Sequence, residues 1–221
     1  MVGITRNRSK FTSYIVKTCV IMFLSTSIGF IFGTVTKSGQ SQQVAVQRDE
    51  IVTVYDRPQH VMPTYYQFDE RWSHIAYLGG DIASHGCGLT CAAMAFEYVS
   101  GTEMTPKTLF SLVGDTCSTA GVNDMKKFAD WIKLRSEVKS VSDQIWTLDG
   151  IKQADLEDAI VFCGLQGKFG DSVYSGHVIL MFEATDDGVL VRDPASVGNT
   201  RFWSWSELEA CDLLYFYIIR Y

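Results

Sequence analysis

The segment that most constrains this fold is an apolar helix predicted over residues 87–99, because apolar residues occupy most of its circumference. Such a helix is buried on nearly all sides, so the other elements must pack around it. It begins at Cys87, which lies between two glycines, and it stops at Ser100-Gly101, a typical helix end. At a helix start, the macrodipole and the unpaired N–H groups favour a thiolate over a thiol. The segment therefore predicts a cysteine nucleophile at the start of a central helix.

Further helices are predicted around this one. Thr105 caps a helix that reaches Val113, and Asn123 caps another that reaches Leu134. The apolar face of the second consists of Met125, Phe128, Ala129 and Ile132. Residues 154–158 are predicted to form one more short helical turn.

The last third of the chain is predicted to be sheet. Its β-branched and apolar runs predict strands over residues 159–165, 177–184, 189–192 and 213–219. Asp187-Gly188 is a hairpin turn signal between the second and the third of these. Helices followed by antiparallel strands indicate an α+β fold.

A cysteine nucleophile needs a base within hydrogen-bonding reach, and the base needs a group that orients it. Of the four histidines, His177 is the candidate base, since it opens a strand whose other residues are apolar; a histidine that merely ends a strand is the alternative. Asp193 ends the return strand and can accept the His177 Nδ1–H, although an Asp-Pro pair also forms ordinary turns. A tight turn at residues 187–188 would pair Asp193 with Phe182. A wider loop, a bulge or strong twist must therefore bring Asp193 to His177.

Acyl transfer also requires N–H donors for the oxyanion. The backbone N–H of Cys87 at the helix start is one candidate. The side-chain amide of Gln67, in the aromatic stretch YYQFDERW, is a second. The sequence has no CxxC pair and no zinc-like histidine spacing, so we predict neither a metal nor a cofactor.

Four segments, in this order, resemble papain-like cysteine peptidases of the bacteriocin-processing (double-glycine leader) type, and above all their stand-alone secreted or membrane-anchored relatives. The segments are YYQFDERW, HGCGLTCAAMAFEYVSG, SGHVILM and VRDP. The resemblance covers about residues 60–221 and implies a papain-like fold with the nucleophile helix in its N-terminal part. It implies the roles of nucleophile, general base, orienting group and oxyanion donor for Cys87, His177, Asp193 and Gln67, respectively. Leu89 stands where the family usually has proline, which should alter loop stiffness more than chemistry.

The N-terminal part differs in charge from the rest of the chain. Residues 1–37 hold five basic residues and no acid, whereas residues 38–221 hold the other 14 basic and all 25 acidic residues. Residues 18–36 are uncharged, and as a helix they would span about 28 Å, close to the hydrocarbon thickness of a bilayer. The basic residues before this run predict a cytoplasmic segment over residues 1–17 and an extracytoplasmic body.

A cleaved signal peptide and a buried core helix are the alternatives for residues 18–36. A signal peptide has a shorter apolar core and a small-x-small exit site, whereas this run is long and residues 33–37 form a weak exit site. We therefore expect an uncleaved, single-pass signal anchor, rather than a secreted protein. A polar, Gln-rich stalk over residues 37–58, with a short predicted strand over residues 51–55, joins it to the domain that starts at residue 59.

The composition of the body limits its partners and its redox state. A strongly acidic body repels phosphate, so a nucleic acid is not an expected partner. Five cysteines lie outside the apolar run, and an odd number in an extracytoplasmic protein indicates one free thiol. If that thiol is Cys87, the others either form up to two disulfides or are all reduced. These others are Cys91, Cys117, Cys163 and Cys211.

The sequence thus predicts a membrane-anchored, extracytoplasmic cysteine peptidase or amidase. Its substrate would be a peptide or protein at the cell surface, hydrolysed through a Cys-His-Asp triad and a thioester. Acyl transfer to an amine, as in a transpeptidase or transglutaminase, would use the same triad. A non-catalytic surface-binding module that keeps the fold is a third alternative. A missing triad member would favour that alternative, and none is missing.

Overall fold

The computed structural model describes residues 60–221. The first half of this part is mostly helical, with two short β-hairpins around the helices. Its elements are β1 (Ala76–Tyr77), β2 (Gly80–Asp81), α1 (Ile82–His85), α2 (Cys87–Ser100), α3 (Pro106–Val113), β3 (Ser118–Thr119), β4 (Val122–Asn123) and α4 (Met125–Lys133).

The second half is mostly sheet, with two short helices. Its elements are β5 (Ser140–Val141), α5 (Leu148–Lys152), β6 (Ala159–Phe169), β7 (Ser172–Phe182), β8 (Gly188–Arg192), β9 (Phe202–Ser204), α6 (Trp205–Glu209) and β10 (Asp212–Arg220). All but the two-residue hairpin strands of the first half belong to one antiparallel sheet in the order β5-β10-β6-β7-β8-β9. The predicted α+β order of helices first and antiparallel strands afterwards is confirmed.

The six-stranded sheet is buried on both faces. One face packs against α2 and α4, and α3 packs on α2; the apolar residues of this face include Phe162, Val178 and Leu180. The opposite face packs against α5 and α6 through residues such as Phe216. Alternate residues of β6 and β7 therefore enter different cores, as the two-residue period of a strand requires.

Helix α2 lies at the centre of the first core, as its all-round apolar sequence predicts. Nine consecutive residues, 88–96, are buried. The helix ends at Gly101, whose positive φ of 65° and N–H bond to Glu97 form a left-handed cap. Cys91 Sγ lies 3.4 Å from the carbonyl oxygen of Val178, which places α2 directly on β7.

Two of the other predicted helices form close to where the sequence places them. Helix α3 starts at Pro106 with Thr105 as its cap, as predicted. In α4 the capping residue is Asp124 rather than Asn123, because the Asp124 carboxylate accepts the Lys127 N–H at 3.1 Å. Asn123 instead ends β4, which leaves its side chain available for contacts with the start of α2.

The helical turn predicted over residues 154–158 is wrong. The helix lies earlier, at α5, because Thr147 caps it by accepting the Gly150 N–H at 3.1 Å. Asp158 has a positive φ of 52°, a left-handed conformation that turns the chain into β6 and is incompatible with a right-handed helix.

Strand β6 extends beyond its predicted end at residue 165, whereas β7 starts before its predicted first residue, His177, and ends at Phe182 rather than at residue 184. Each has 11 residues, and they continue as a hairpin to Phe169 and Ser172, past a register shift between Leu165 and Gly167. Because the sequence of this extension is polar, the pattern of apolar residues did not predict it. The last predicted strand is confirmed as β10.

The membrane-anchor prediction for residues 18–36, the stalk prediction and the strand predicted over residues 51–55 lie outside the described residues. Within residues 60–221, no helix has the length and apolar character that crossing a bilayer requires.

Candidate active site

Cys87 lies at a junction between two helices. Helix α1 ends at His85, and α2 begins at Cys87, with Gly86 as the single residue between them. The Gly86 N–H donates to the Ile82 carbonyl oxygen at 2.9 Å, and a Cβ on Gly86 would lie 2.4 Å from that oxygen. The glycine therefore permits the tight turn that sets Cys87, half-buried, at the positive end of a 14-residue helix.

His177 and Asp193 form a buried pair. Their side chains are 3% and 0% exposed, and His177 Nε2 lies 2.7 Å from Asp193 Oδ1. The sequence-based expectation that Nδ1 faces the carboxylate is wrong. Because Nε2 is used by Asp193, Nδ1 is the ring nitrogen left for Cys87, whose side chain interacts with the imidazole and helps to raise its pKa.

The strand register explains how His177 and Asp193 meet. Strands β7 and β8 pair with Leu180 opposite Arg192 and with Phe182 opposite Leu190. Continuing this register by one pair sets Asp193 beside residue 179, on the same side of the strand as His177 and two residues from it. The loop between the strands spans residues 183–187, so it is wider than a two-residue turn at 187–188. Of the wider loop, bulge or strong twist that could bring Asp193 to His177, the structure therefore has the wider loop.

The two groups stabilise each other's charge. Burial alone would lower the pKa of His177, but its hydrogen bonds to Asp193 and Cys87, with the charges of both, raise it from 6.5 to about 9. Burial opposes ionisation of Asp193, yet the hydrogen bond and the charge of His177 hold its pKa below the usual range. At neutral pH the pair is therefore an imidazolium and a carboxylate.

The Asp193 carboxylate is fully engaged by four donors. Oδ1 accepts from His177 and from the Ala195 N–H at 2.9 Å, and Oδ2 accepts from the Tyr174 hydroxyl at 2.9 Å and the Asn199 amide at 3.0 Å. The Tyr174 ring also stacks on the His177 ring, with centroids 4.0 Å apart. These contacts fix the position of the imidazole before any substrate arrives.

Gln67 is brought to the same site. Its backbone N–H donates to the Pro194 carbonyl oxygen at 2.8 Å, which ties the aromatic segment to the loop after Asp193. Its side-chain Nε2 donates to the carbonyl oxygen of Ala83 in α1. The residue is 8% exposed, so the amide is held between the helix that precedes Cys87 and the loop that follows Asp193.

The structure thus brings all four predicted site residues into one region, and it adds three that sequence reasoning missed. Tyr174 and Asn199 surround Asp193, and the Asn123 amide lies beside Cys87. Tyr174 belongs to the part of the hairpin that was not predicted, and Asn199 lies in a loop. Asn123 was instead predicted to be a helix cap, because a polar residue before a helix is typical of a cap.

The other four cysteines of the described part lie where burial opposes ionisation of the thiol. All five cysteines of the described part are free thiols, so the disulfide alternative is not realised in residues 60–221. Burial, followed by the charge of Cys87, raises the pKa of Cys91 well above its ordinary value. Burial likewise raises the pKa of Cys117, Cys163 and Cys211. In the same residues, no group of three or more histidine, cysteine or acidic side chains is arranged to hold a metal ion.

No family model matches the sequence, and no curated protein matches it. Among solved structures, the G161 variant of the Salmonella effector SpvD is similar to this chain at 16% identity and a TM-score of 0.34, with 74% of each chain covered. A likeness of that strength carries no argument, so the function must be inferred from the geometry of residues 60–221.

Proposed function

We propose that this protein is a cysteine hydrolase that cleaves a peptide or amide bond through Cys87, His177 and Asp193. The observation that carries the proposal is the buried His177–Asp193 pair beside a half-buried thiol at a helix start. A buried imidazolium with a fully engaged carboxylate is costly to maintain for structure alone, because both groups leave water. Strongly perturbed groups around a nucleophile are typical of active sites.

In the first step, the Cys87 thiolate attacks the carbonyl carbon of the substrate and forms a C–S bond. The carbonyl oxygen takes up the negative charge, and the Cys87 backbone N–H and the Gln67 amide are the donors that stabilise it. As the intermediate collapses, the C–N bond breaks and the His177 imidazolium gives its Nδ1 proton to the departing amine. The product of this step is a thioester on Cys87 and a neutral His177.

In the second step, a water molecule attacks the thioester and His177 accepts one of its protons. The C–S bond breaks, the acid product leaves, and the thiolate–imidazolium pair returns. Asp193 holds the imidazole in one orientation throughout and stabilises its charged form.

The four sequence segments that contain Gln67, Cys87, His177 and Asp193 support a papain-like arrangement in which a helical part carries the nucleophile and a sheet carries the base. The same segments support membership of the bacteriocin-processing type of peptidase. For the location, the uncharged run over residues 18–36 supports a single-pass anchor with the described domain outside the cytoplasm. A peptide or protein at the cell surface is then the accessible substrate.

Site-resolved labelling of the full-length protein tests the nucleophile. Low doses of iodoacetamide, followed by peptide mapping, measure the alkylation rate of each cysteine separately. We expect Cys87 to react first, because Cys91 is buried one helical turn further on. His177→Ala should slow the labelling of Cys87 without exposing the buried cysteines. Labelling of Cys91 ahead of Cys87 would show that the nucleophile is misassigned.

Turnover separates hydrolysis from the alternatives. A mixed peptide library is incubated with the wild type, with Cys87→Ser and with the matched control Cys91→Ser, and new termini are identified by mass spectrometry. Hydrolysis predicts cleavage by the wild type and by Cys91→Ser but none by Cys87→Ser. Amine-capped products in the presence of an added primary amine would indicate acyl transfer instead. A reactive Cys87 with no product of either kind would favour a non-catalytic module.

Fractionation tests the anchor. Full-length protein should sediment with membranes and resist carbonate extraction, and protease added outside intact cells should digest the part after residue 37. A soluble product that starts near residue 38 would show a cleaved signal peptide instead.

A further inference from the structure

The Asn123 side chain lies against the nucleophile. Its Nδ2 atom is 3.9 Å from Cys87 Sγ and donates to the His85 carbonyl oxygen at 2.8 Å. An amide nitrogen carries two hydrogens, so one can remain on His85 while the other points to the sulfur. The residue comes from β4, an element distant in sequence from α2, and it reaches the start of that helix from the side.

The orientation of this amide is fixed by chemistry. A backbone carbonyl oxygen can only accept, so the amide atom that faces His85 must be the nitrogen. Oδ1 then faces the Tyr77 hydroxyl, which donates to it at 2.7 Å. The positive end of the amide dipole is therefore directed at the side of the site where Cys87 Sγ lies.

Two further residues hold Asn123 in place. Tyr77 is 2% exposed, so its hydroxyl stays on Oδ1 without competition from bulk solvent. Gly88 leaves space for the Asn123 side chain, since a Cβ on Gly88 would lie 2.6 Å from Asn123 Cβ. The absence of a side chain at residue 88 therefore lets the Asn123 amide approach Cys87.

We propose that Asn123 donates a hydrogen bond to the Cys87 thiolate and, held by Tyr77, increases the fraction of Cys87 that is ionised near neutral pH. This inference rests on the proposed function, because it assigns Asn123 a role in the reactivity of that same nucleophile. A hydrogen bond to an anionic acceptor is stronger than one to a neutral acceptor, so the amide stabilises the thiolate more than the thiol.

Four titratable groups interact electrostatically with Cys87 and can influence the pH dependence of its reactivity. Tyr77 and Tyr215 have a pKa raised by burial and, next, by the charge of Cys87, so both stay neutral up to strongly alkaline pH. Cys91 has a raised pKa as well. Of these four groups, His177 is the one whose charge changes below strongly alkaline pH.

The test is the pH dependence of Cys87 alkylation by iodoacetamide in the full-length protein, with rates from peptide mapping. In Asn123→Ala, the midpoint of the rate profile should rise by about one pH unit, which is the size expected for a weak hydrogen bond to a charged group. In Tyr77→Phe, the midpoint should rise by less, because the amide remains but is no longer held. The limiting rate at high pH should stay within about threefold of wild type, since the thiolate itself is unchanged.

Thr119→Val is the matched control. Thr119 lies on β3, pairs with Val122 and donates to Asp124, so this substitution perturbs the hairpin that carries Asn123 without removing the amide. Its midpoint should equal that of wild type. A midpoint shift in Thr119→Val as large as that in Asn123→Ala would overturn the inference in favour of a structural role.

The failures of the two proposals are distinguishable. If wild-type Cys87 reacts ahead of the other cysteines and neither Asn123→Ala nor Tyr77→Phe moves the midpoint, the role of Asn123 is refuted while the hydrolase proposal stands. If wild-type Cys87 has no such reactivity, the hydrolase proposal itself fails. Should Asn123→Ala unfold, which labelling of Cys91 would reveal, the Tyr77→Phe profile decides alone.

Discussion

The candidate site has a helical wall, which carries Cys87 at the start of α2, and a sheet wall, which carries His177 and Asp193. The two walls hold their functional groups in different ways. On the helical wall, backbone geometry positions Cys87, through the α1–α2 junction and the start of a buried helix. On the sheet wall, a network of side chains positions His177, and Asp193 accepts four hydrogen bonds there. The nucleophile is half-buried, whereas the side chains of His177 and Asp193 are 3% and 0% exposed.

The difference follows from the two chemical tasks. A nucleophile must meet the substrate, so it cannot be enclosed, and the backbone at a helix start can present it with few side-chain contacts. A base must keep one tautomer and one orientation, which requires a partner for the second ring nitrogen and exclusion of water. The sheet wall should therefore be important for folding as well as for catalysis, and the Cys87 side chain for catalysis alone.

Substituting the central residue of each wall gives the largest expected contrast. Asp193→Ala leaves four donors without their acceptor in a buried site, so we expect a loss of about 3–5 kcal/mol in the free energy of unfolding. Turnover should fall by about 10³-fold or more, because the imidazole loses its orientation and its counter-charge. Cys87→Ala should abolish turnover with a change in stability below about 1 kcal/mol. Urea unfolding and peptide cleavage measure the two quantities.

Asp193→Asn separates the two effects of the first substitution, because it keeps the volume and part of the hydrogen bonding while removing the charge. Its stability should lie between those of Asp193→Ala and the wild type, with turnover still strongly reduced. A Cys87→Ala protein that is destabilised as much as Asp193→Ala would contradict the contrast between the walls.

The glycines that neighbour the two functional residues give the next contrast. Gly88→Ala puts a Cβ 2.6 Å from Asn123 Cβ and 2.8 Å from Met125 Sδ, so neighbouring side chains must shift. We expect a loss of about 1–3 kcal/mol in stability and a clear fall in turnover. Gly176→Ala is the matched change beside His177, where a Cβ would have no atom within 4 Å. Its stability and turnover should stay near wild type, as urea unfolding and peptide cleavage would show; equal effects of the two alanines would refute the steric argument.

The charge of His177 gives the third contrast, since it makes the stability of the sheet wall depend on pH. The pKa of His177 is raised to about 9 in the folded state, and an unfolded histidine titrates near 6.5. The stability from its proton is fully present below about pH 6.5 and is lost as pH rises through about 9. We expect wild type to lose on the order of 2 kcal/mol relative to His177→Gln over this interval. Urea unfolding at several pH values measures the difference.

His74→Gln serves as the control for this experiment, because His74 is exposed and lies outside the site. Its pH profile should follow that of wild type. A wild-type profile that runs parallel to that of His177→Gln would mean that the ion pair contributes no linked stability.

The helical wall was the easier one to predict from sequence. Cys87 and the limits of α2 follow from local signals, namely flanking glycines, an apolar run and a glycine stop, and the structure agrees with each of them. Gln67 needed the resemblance, since a glutamine among aromatic residues has no local signal of its own. Asn123 was wrongly predicted to be a helix cap because capping is a local feature of the sequence. The contact of Asn123 with Cys87 depends instead on the packing of β4 against α2.

The sheet wall could be predicted in its main pair but not in its surroundings. Residue type and position indicated His177 and Asp193, yet the register that joins them depends on the width of the loop over residues 183–187. Which ring nitrogen faces Asp193 is likewise a matter of three-dimensional packing, and the sequence-based expectation was wrong. Tyr174 and Asn199 come from a hairpin extension and a loop, where neither periodicity nor composition marks a functional residue.

The smallest expected effect tests whether the network around Asp193 is redundant. Tyr174→Phe removes the hydroxyl that donates to Asp193 Oδ2 but keeps the ring that stacks on His177. Asn199 still donates to the same oxygen, so the carboxylate remains partly satisfied. We expect a loss of about 1 kcal/mol in the free energy of unfolding and only a few-fold fall in turnover.

Tyr174→Ala is the companion variant, because it also removes the stacked ring and should lower turnover further by allowing the imidazole to turn. Urea unfolding and the rate of peptide cleavage are compared across Tyr174→Phe, Tyr174→Ala and Asp193→Asn. The comparison ranks the contributions of the hydroxyl, the stacked ring and the charge to stability and to turnover. If Tyr174→Phe were as damaging as Asp193→Asn, the hydroxyl would be an essential donor rather than one of four. The sheet wall would then depend on a single contact, as the helical wall depends on the start of α2.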